Sequence, residues 1–144
     1  RGAASARPRS SARRVTPAPE VLVDTSVWIE HFRRGSAPLA ELLAGDAARM
    51  HPLVLLELAC GSPPAPRART LADLARLRPA PQAGQAELLA FIEQEQLFDS
   101  GCGAVDIHLL ASARLLPGVR LWTLDKPLHA LARRLGVAWV VPTR

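Results

Sequence analysis

The sequence predicts an α/β fold, with a central parallel β-sheet flanked by helices. Three observations carry that expectation. Short apolar runs such as VLV, VRLWTL and VAWVV alternate with longer stretches of helical periodicity. The runs are apolar almost without interruption, as strands buried on both faces should be. Prolines and glycines stand at the junctions, where helices start and stop.

Taken in order, residues 21–24 read as a buried strand, and SVWIEHFR as a helix that turns Val27, Trp28 and Phe32 inward. APLAELLA makes a second helix, stopped at Gly45. ARMH is a short strand. PLVLLELAC begins on Pro52, a favourable first helical residue, and ends at Gly61. SPPAP is a loop. RARTLADLARLR is amphipathic, with Leu71, Leu74 and Leu77 on one side, and Pro79 and Pro81 break it. GQAELLAFIEQEQLF is a long helix and DSGCG a turn. AVDIHLLASARLL is a helix ended by Pro117 and Gly118. VRLWTL is a strand, DKPLHALARRL a helix closed by Gly136, and VAWVV a last strand.

The length of 144 residues suits one domain. The 49% hydrophobic and 22% charged composition is that of a globular chain, and no apolar run approaches the roughly 20 residues of a membrane span. Residues 1–20 are rich in Arg, Ser, Ala and Pro, without a periodic apolar face or the apolar core of a secretory signal. They are expected to be a basic disordered tail, or an artefact of start-site choice or trimming, with the folded domain over 21–144. Five arginines against Glu20 put +4 of the net +5 charge in that tail. The basic balance is therefore a weak argument for nucleic acid. Cys60 and Cys102 have no metal-type spacing, and read as small buried residues in a reducing cytosol.

Four acids stand out. Asp24 follows VLV, and Asp125 follows LWTL; either residue can simply cap the next helix for ~1 kcal/mol. Glu57 has Leu53, Val54, Cys60 and Gly61 as its helical neighbours, an apolar setting where an unpaired carboxylate costs several kcal/mol. It needs an arginine or a cation. Asp106 has Leu109, Leu110 and Ala113 as neighbours; its place in a first turn is favoured by the helix dipole, by up to ~1 kcal/mol. The conjunction is the stronger signal. In an open parallel sheet, ligands sit beyond the carboxyl ends of the strands, where all four can converge. Oxygen donors of this kind suit Mg²⁺ or Mn²⁺.

VLVDTSVWIEHFR, LLELACG, GAVDIHLLASA and LWTLDKPLHALARRLGV resemble the successive motifs of PIN-domain ribonucleases, above all the VapC toxins of bacterial type II toxin–antitoxin modules. The resemblance covers residues 21–144. It implies a PIN-like three-layer fold with about five parallel strands. It also implies a metal site of Asp24, Glu57, Asp106 and Asp125, supported by the hydroxyls of Ser26 and Thr123. The implied protein is a cytoplasmic Mg²⁺- or Mn²⁺-dependent endoribonuclease. It cuts structured RNA, such as tRNA or rRNA loops, to leave a 5′-phosphate and a 3′-hydroxyl. The implied partners are a cognate VapB-type antitoxin covering the acidic pocket and a second copy of the chain in a homodimer. The basic tail departs from the family pattern.

Arg33, Arg34, Arg120 and Lys126 offer phosphate contacts, against the plainer reading of solvated surface charge. The four histidines share no ligand spacing, and Trp28, Trp122 and Trp139 read as core anchors. One alternative is a catalytically inert PIN-like module that binds RNA or a partner. A receiver-like phosphoacceptor domain is disfavoured, because Asp24 is followed by Thr25 rather than a second acid. A haloacid-dehalogenase-type phosphatase is disfavoured because DTSVW lacks the aspartate two residues on.

Overall fold

The computed structural model describes residues 19–143, so the expected tail over residues 1–18 lies outside the described residues. The first strand, β1 (Glu20–Val23), starts one residue before the expected domain boundary. Glu20 accepts a 2.7 Å hydrogen bond from Arg49 Nε, which holds its carboxyl below the usual range. Val21, Leu22 and Val23 are fully buried, because β1 has a paired strand on each side and helices over its faces.

Two helices follow β1: α1 (Thr25–Arg34) and α2 (Ala37–Ala44). Val27 and Trp28 of α1 turn inward as expected, and Ser36 caps α2 by accepting from Leu39 N–H. The chain returns as β2 (Ala48–Met50), then forms α3 (Pro52–Cys60) and α4 (Arg67–Ala75). His51 caps α3, its Nδ1 accepting from Leu53 N–H at 3.0 Å. After β3 (Arg78–Pro79) come α5 (Gln85–Glu95) and α6 (Ala104–Leu115). The strand β4 (Val119–Trp122) then leads into α7 (Lys126–Arg134).

All strand pairs are parallel, in the order β3-β2-β1-β4. Successive crossovers step outward from β1 to β2 to β3, and the next returns to the far side of β1. The strand order therefore reverses between β1 and β4, the kind of switch point at which open α/β sheets leave a crevice. The Val23↔Trp122 pairing and the bond from Asp24 N–H to Trp122 C=O (2.9 Å) close the carboxyl end of that junction.

Two strand expectations are corrected. The sheet has four strands rather than about five, because VAWVV pairs with β4 only at the Leu121↔Ala138 bridge. There Leu121 N–H donates to Val137 C=O at 2.7 Å, and Trp139 N–H donates back to Leu121 C=O at 2.9 Å. Trp139 packs on Trp122, with ring centroids 4.6 Å apart; Val140 and Val141 are exposed beyond it. Pro79, expected only to break a helix, lies in β3. An edge strand tolerates it, because its missing N–H would have faced away from the sheet. Ala80 N–H supplies the next bond, to Met50 C=O at 3.0 Å.

The core is one continuous cluster. It takes in Trp28, Trp122 and Trp139, which fill the core-anchor role expected of them. Cys60 is exposed and Cys102 half-buried, so neither is the fully buried residue expected. Cys60 lies in the last turn of α3, past the stripe of Val54 and Leu58 that faces the core. No helix among the described residues is long and apolar enough to cross a membrane.

Candidate active site

Asp24 sits where β1 ends and α1 begins, its backbone extended at φ −71° and ψ 157°. It occupies the cap position of α1, but its side chain makes no capping bond. Instead Oδ2 accepts from Ser26 Oγ and from Thr123 Oγ1, each at 2.7 Å. Thr123 comes from the end of β4, so the switch point itself brings the two together. The residue is only 6% exposed, and no hydrogen bond from the described residues reaches Oδ1.

Thr123 and Ser26 also organise the loop into α7. Thr123 Oγ1 accepts from Asp125 N–H at 3.0 Å, and Ser26 Oγ accepts from Leu124 N–H at 3.0 Å. Asp125 does cap α7, Oδ2 accepting from Leu128 N–H at 3.0 Å. For this residue the capping role expected from sequence is met in the same side chain that faces the other acids.

Asp106 is the third residue of α6, and its Oδ2 accepts from Gly103 N–H at 3.3 Å. Burial pushes its pKa up most strongly; the Gly103 bond opposes this, and the charges of Asp24, Asp125 and Glu57 add to it. One half-buried carboxyl thus feels the three other acids, drawn from the ends of β1 and β4 and from α3.

Glu57 corrects one expectation. It was expected on an apolar, buried face of α3, but the residue is exposed. The helix presents Val54 and Leu58 to the core, and Glu57 falls between them at the rim. Its Oε1 accepts from Thr25 Oγ1 at 2.6 Å, which ties the start of α1 to α3. No arginine partner is found for Glu57 among the described residues.

Two residues at the site were not singled out from the sequence. Thr25 anchors Glu57. Cys102 places its Sγ within 4.8 Å of carboxylate oxygens of Asp106 and Asp125, which are equally close to one another. Burial and the two carboxylates raise the thiol pKa, and a bond with Ser100 works against them. The only sequence signal for Cys102 was its place four residues before Asp106. Asp24 and Glu57 stand outside that tight trio.

The donor set fits a divalent cation. It consists of carboxylate oxygens gathered at one rim, those of Asp106 and Asp125 within 4.8 Å of each other, and some of them without a hydrogen bond. The four candidate phosphate contacts separate. Arg34 pairs with Glu30 at 3.3 Å. Arg120 bonds Gly136 C=O, at the far end of α7 from Asp125. Lys126 is exposed beside Asp125, and Arg33 lines a cleft that also contains Glu57. Among the histidines, His51 and His108 pack with centroids 5.9 Å apart, a proximity their sequence spacing does not reveal.

The sequence model described as the PIN domain matches residues 21–134. The chain is 48% identical over 118 residues to Ribonuclease VapC32 of Mycobacterium tuberculosis, in strains CDC 1551 / Oshkosh and ATCC 25618 / H37Rv. That match covers 82% of this chain and 94% of the relative. Among solved structures, PAE2754 from Pyrobaculum aerophilum superposes with a TM-score of 0.55 at 17% identity. It covers 83% of this chain and 97% of the other, a likeness of fold.

Proposed function

The chain belongs to the PIN-domain family and to its VapC ribonuclease branch, and from that premise we propose that it is the endoribonuclease toxin of a toxin–antitoxin pair. The observation that supports this reading is that carboxylate oxygens of Asp106 and Asp125 lie within 4.8 Å of one another, while Thr123 ties the Asp24 carboxylate to the Asp125 backbone N–H beside them. These four acids would hold Mg²⁺ or Mn²⁺. Such an ion, when bound, supplies a Lewis acid that generates hydroxide from water near neutral pH and offsets charge on a phosphodiester.

The chain's own residues prepare the site. Thr123 and Ser26 hold the Asp24 carboxylate in one orientation, as outer hydrogen bonds do for ligating carboxylates. Thr25 does the same for Glu57, and the α6 N-terminus for Asp106. Asp125 is fixed by capping α7. A bound cation would offset the mutual repulsion of these carboxyls.

The substrate is structured RNA cut in a loop, since splayed nucleotides bring their backbone into such a rim most readily. By likeness to the family, the products carry a 5′-phosphate and a 3′-hydroxyl. The protein acts in the cytoplasm, as a homodimer, and is restrained by a cognate VapB-type antitoxin that covers the acids. Incubation of the purified protein with RNA and Mn²⁺, followed by sequencing of new 5′ ends, tests the reading. Discrete cuts are expected, absent with chelator and absent in Asp24→Asn. Equal cleavage by Asp24→Asn and the parent, or growth arrest by both on expression, refutes it.

A further inference from the structure

Resting on the nuclease reading above, we propose that the cleft between α1 and the loop after α3 is a nucleotide subsite, which receives one unpaired base of the RNA next to the cleaved phosphodiester. The cleft encloses about 510 Å³, within the roughly 300–1,000 Å³ span of small-ligand sites. One wall is α1, with Ile29, Phe32 and Arg33; the other holds Glu57 and the prolines Pro63 and Pro64. Glu57 therefore belongs both to the acidic rim and to this cleft. A strand whose phosphodiester lay at the acids would carry its neighbouring nucleotide here.

The lining chemistry suits that occupant. Phe32 presents a half-buried ring, steadied by Trp28 with centroids 6.0 Å apart. Aromatic faces of this kind stack unpaired bases, whatever their identity. Arg33 makes no ion pair among the described residues, whereas its neighbour Arg34 is engaged by Glu30. An exposed guanidinium that lines the cleft and is free of an ion pair matches a phosphate. The opposite wall is set in advance: Arg67 donates to the carbonyls of Ala59 and Gly61, and Thr70 Oγ1 to Pro64 C=O at 2.8 Å. A preformed cleft lowers the ordering cost of binding.

The test uses a short loop RNA containing a mapped cut, with single abasic substitutions on either side of it. For the parent protein, one flanking abasic position should lower kcat/KM about 10-fold, the scale of one lost base–aromatic stack. In Phe32→Leu that penalty should vanish, because the base has nothing to stack on. Arg33→Gln should raise KM about 10-fold with kcat unchanged, the mark of lost ground-state binding. Thermal melting of each variant separates these effects from misfolding. Equal abasic penalties in parent and Phe32→Leu overturn the proposal. So do variants that cleave RNA normally but lose the cognate antitoxin, which would assign the cleft to that protein. A fluorescent single-stranded oligoribonucleotide titrated into Asp106→Asn separates the subsite from the nuclease reading. Binding that falls in Asp106→Asn/Arg33→Gln supports the subsite even if no cleavage is seen; binding indifferent to Arg33 sinks it.

Discussion

Thr123 Oγ1 donates to Asp24 Oδ2 at 2.7 Å, joining residues 99 positions apart at the ends of two neighbouring parallel strands. That bond orients the most buried acid of the site. It exists because the sheet order reverses between β1 and β4, which sets the carboxyl ends of those strands side by side.

Thr123→Val keeps the shape and removes the hydroxyl. Asp24 then loses one of its two donors, and Asp125 N–H loses its acceptor. Cleavage should fall about 10- to 100-fold, the usual cost of removing a group that orients a metal ligand. Ser26→Ala should act in the same direction. RNA cleavage rates beside melting curves check this; a Thr123→Val protein of parental rate contradicts it.

Asp106→Asn removes the carboxyl whose charge is disfavoured by burial and by three other acids. Its cleavage loss should exceed the ~10–100-fold expected for an orienting residue. Melting in chelator should show a midpoint at or above the parent's, since a repelling charge has gone. Mn²⁺ should raise the parent's midpoint and leave the variant's nearly unchanged.

The raised pKa of Asp106 also sets a pH dependence. Its folded value lies above its unfolded one, so its favourable contribution is full below the unfolded pKa of about 3.8 and is lost as pH rises through the raised value. Metal affinity runs the opposite way, because a ligating carboxyl must be deprotonated. Mn²⁺ affinity measured by calorimetry should therefore climb through that interval and level off above it.

His51 predicts a separate acid sensitivity. Burial, and to a smaller extent the His108 charge, lower its pKa from 6.5 to about 4. The unfolded chain binds the proton first as pH falls, so the folded state is fully favoured above about 6.5 and loses ground down to about 4. His51→Asn keeps a good cap for α3 and removes the titration. Urea midpoints at pH 7 and 4.5 should show a smaller drop for the variant than for the parent.

Trp139 tests the end of the chain. It is buried against Trp122 and bonded to Leu121, although its segment makes only one bridge. Trp139→Ala should cost ~3–5 kcal/mol, as large-to-small core changes do. A midpoint unchanged in urea would show that the terminal segment adds nothing to the fold.

What could be read along the chain was local. VLV before Asp24 announced a buried strand, Pro52 and Gly61 framed α3, and Leu74 marked the inward face of α4, because burial pattern and helix boundaries depend on a few neighbouring residues. The acids stood out through their apolar surroundings, and the family resemblance gave them an order. Even there, local reasoning erred on Glu57: apolar neighbours implied burial, yet the axial rotation of α3 leaves it at the rim.

The sequence by itself determined an alternating α/β chain, its parallel sheet and the identity of the four candidate acids. Only the tertiary structure decided that Pro79 completes an edge strand and that VAWVV contributes one bridge. It also placed Thr25 on Glu57 and Cys102 beside Asp106 and Asp125. Each of these depends on which segments become neighbours in space. That follows from strand order and helix packing summed over the whole core, and no window of local sequence contains it.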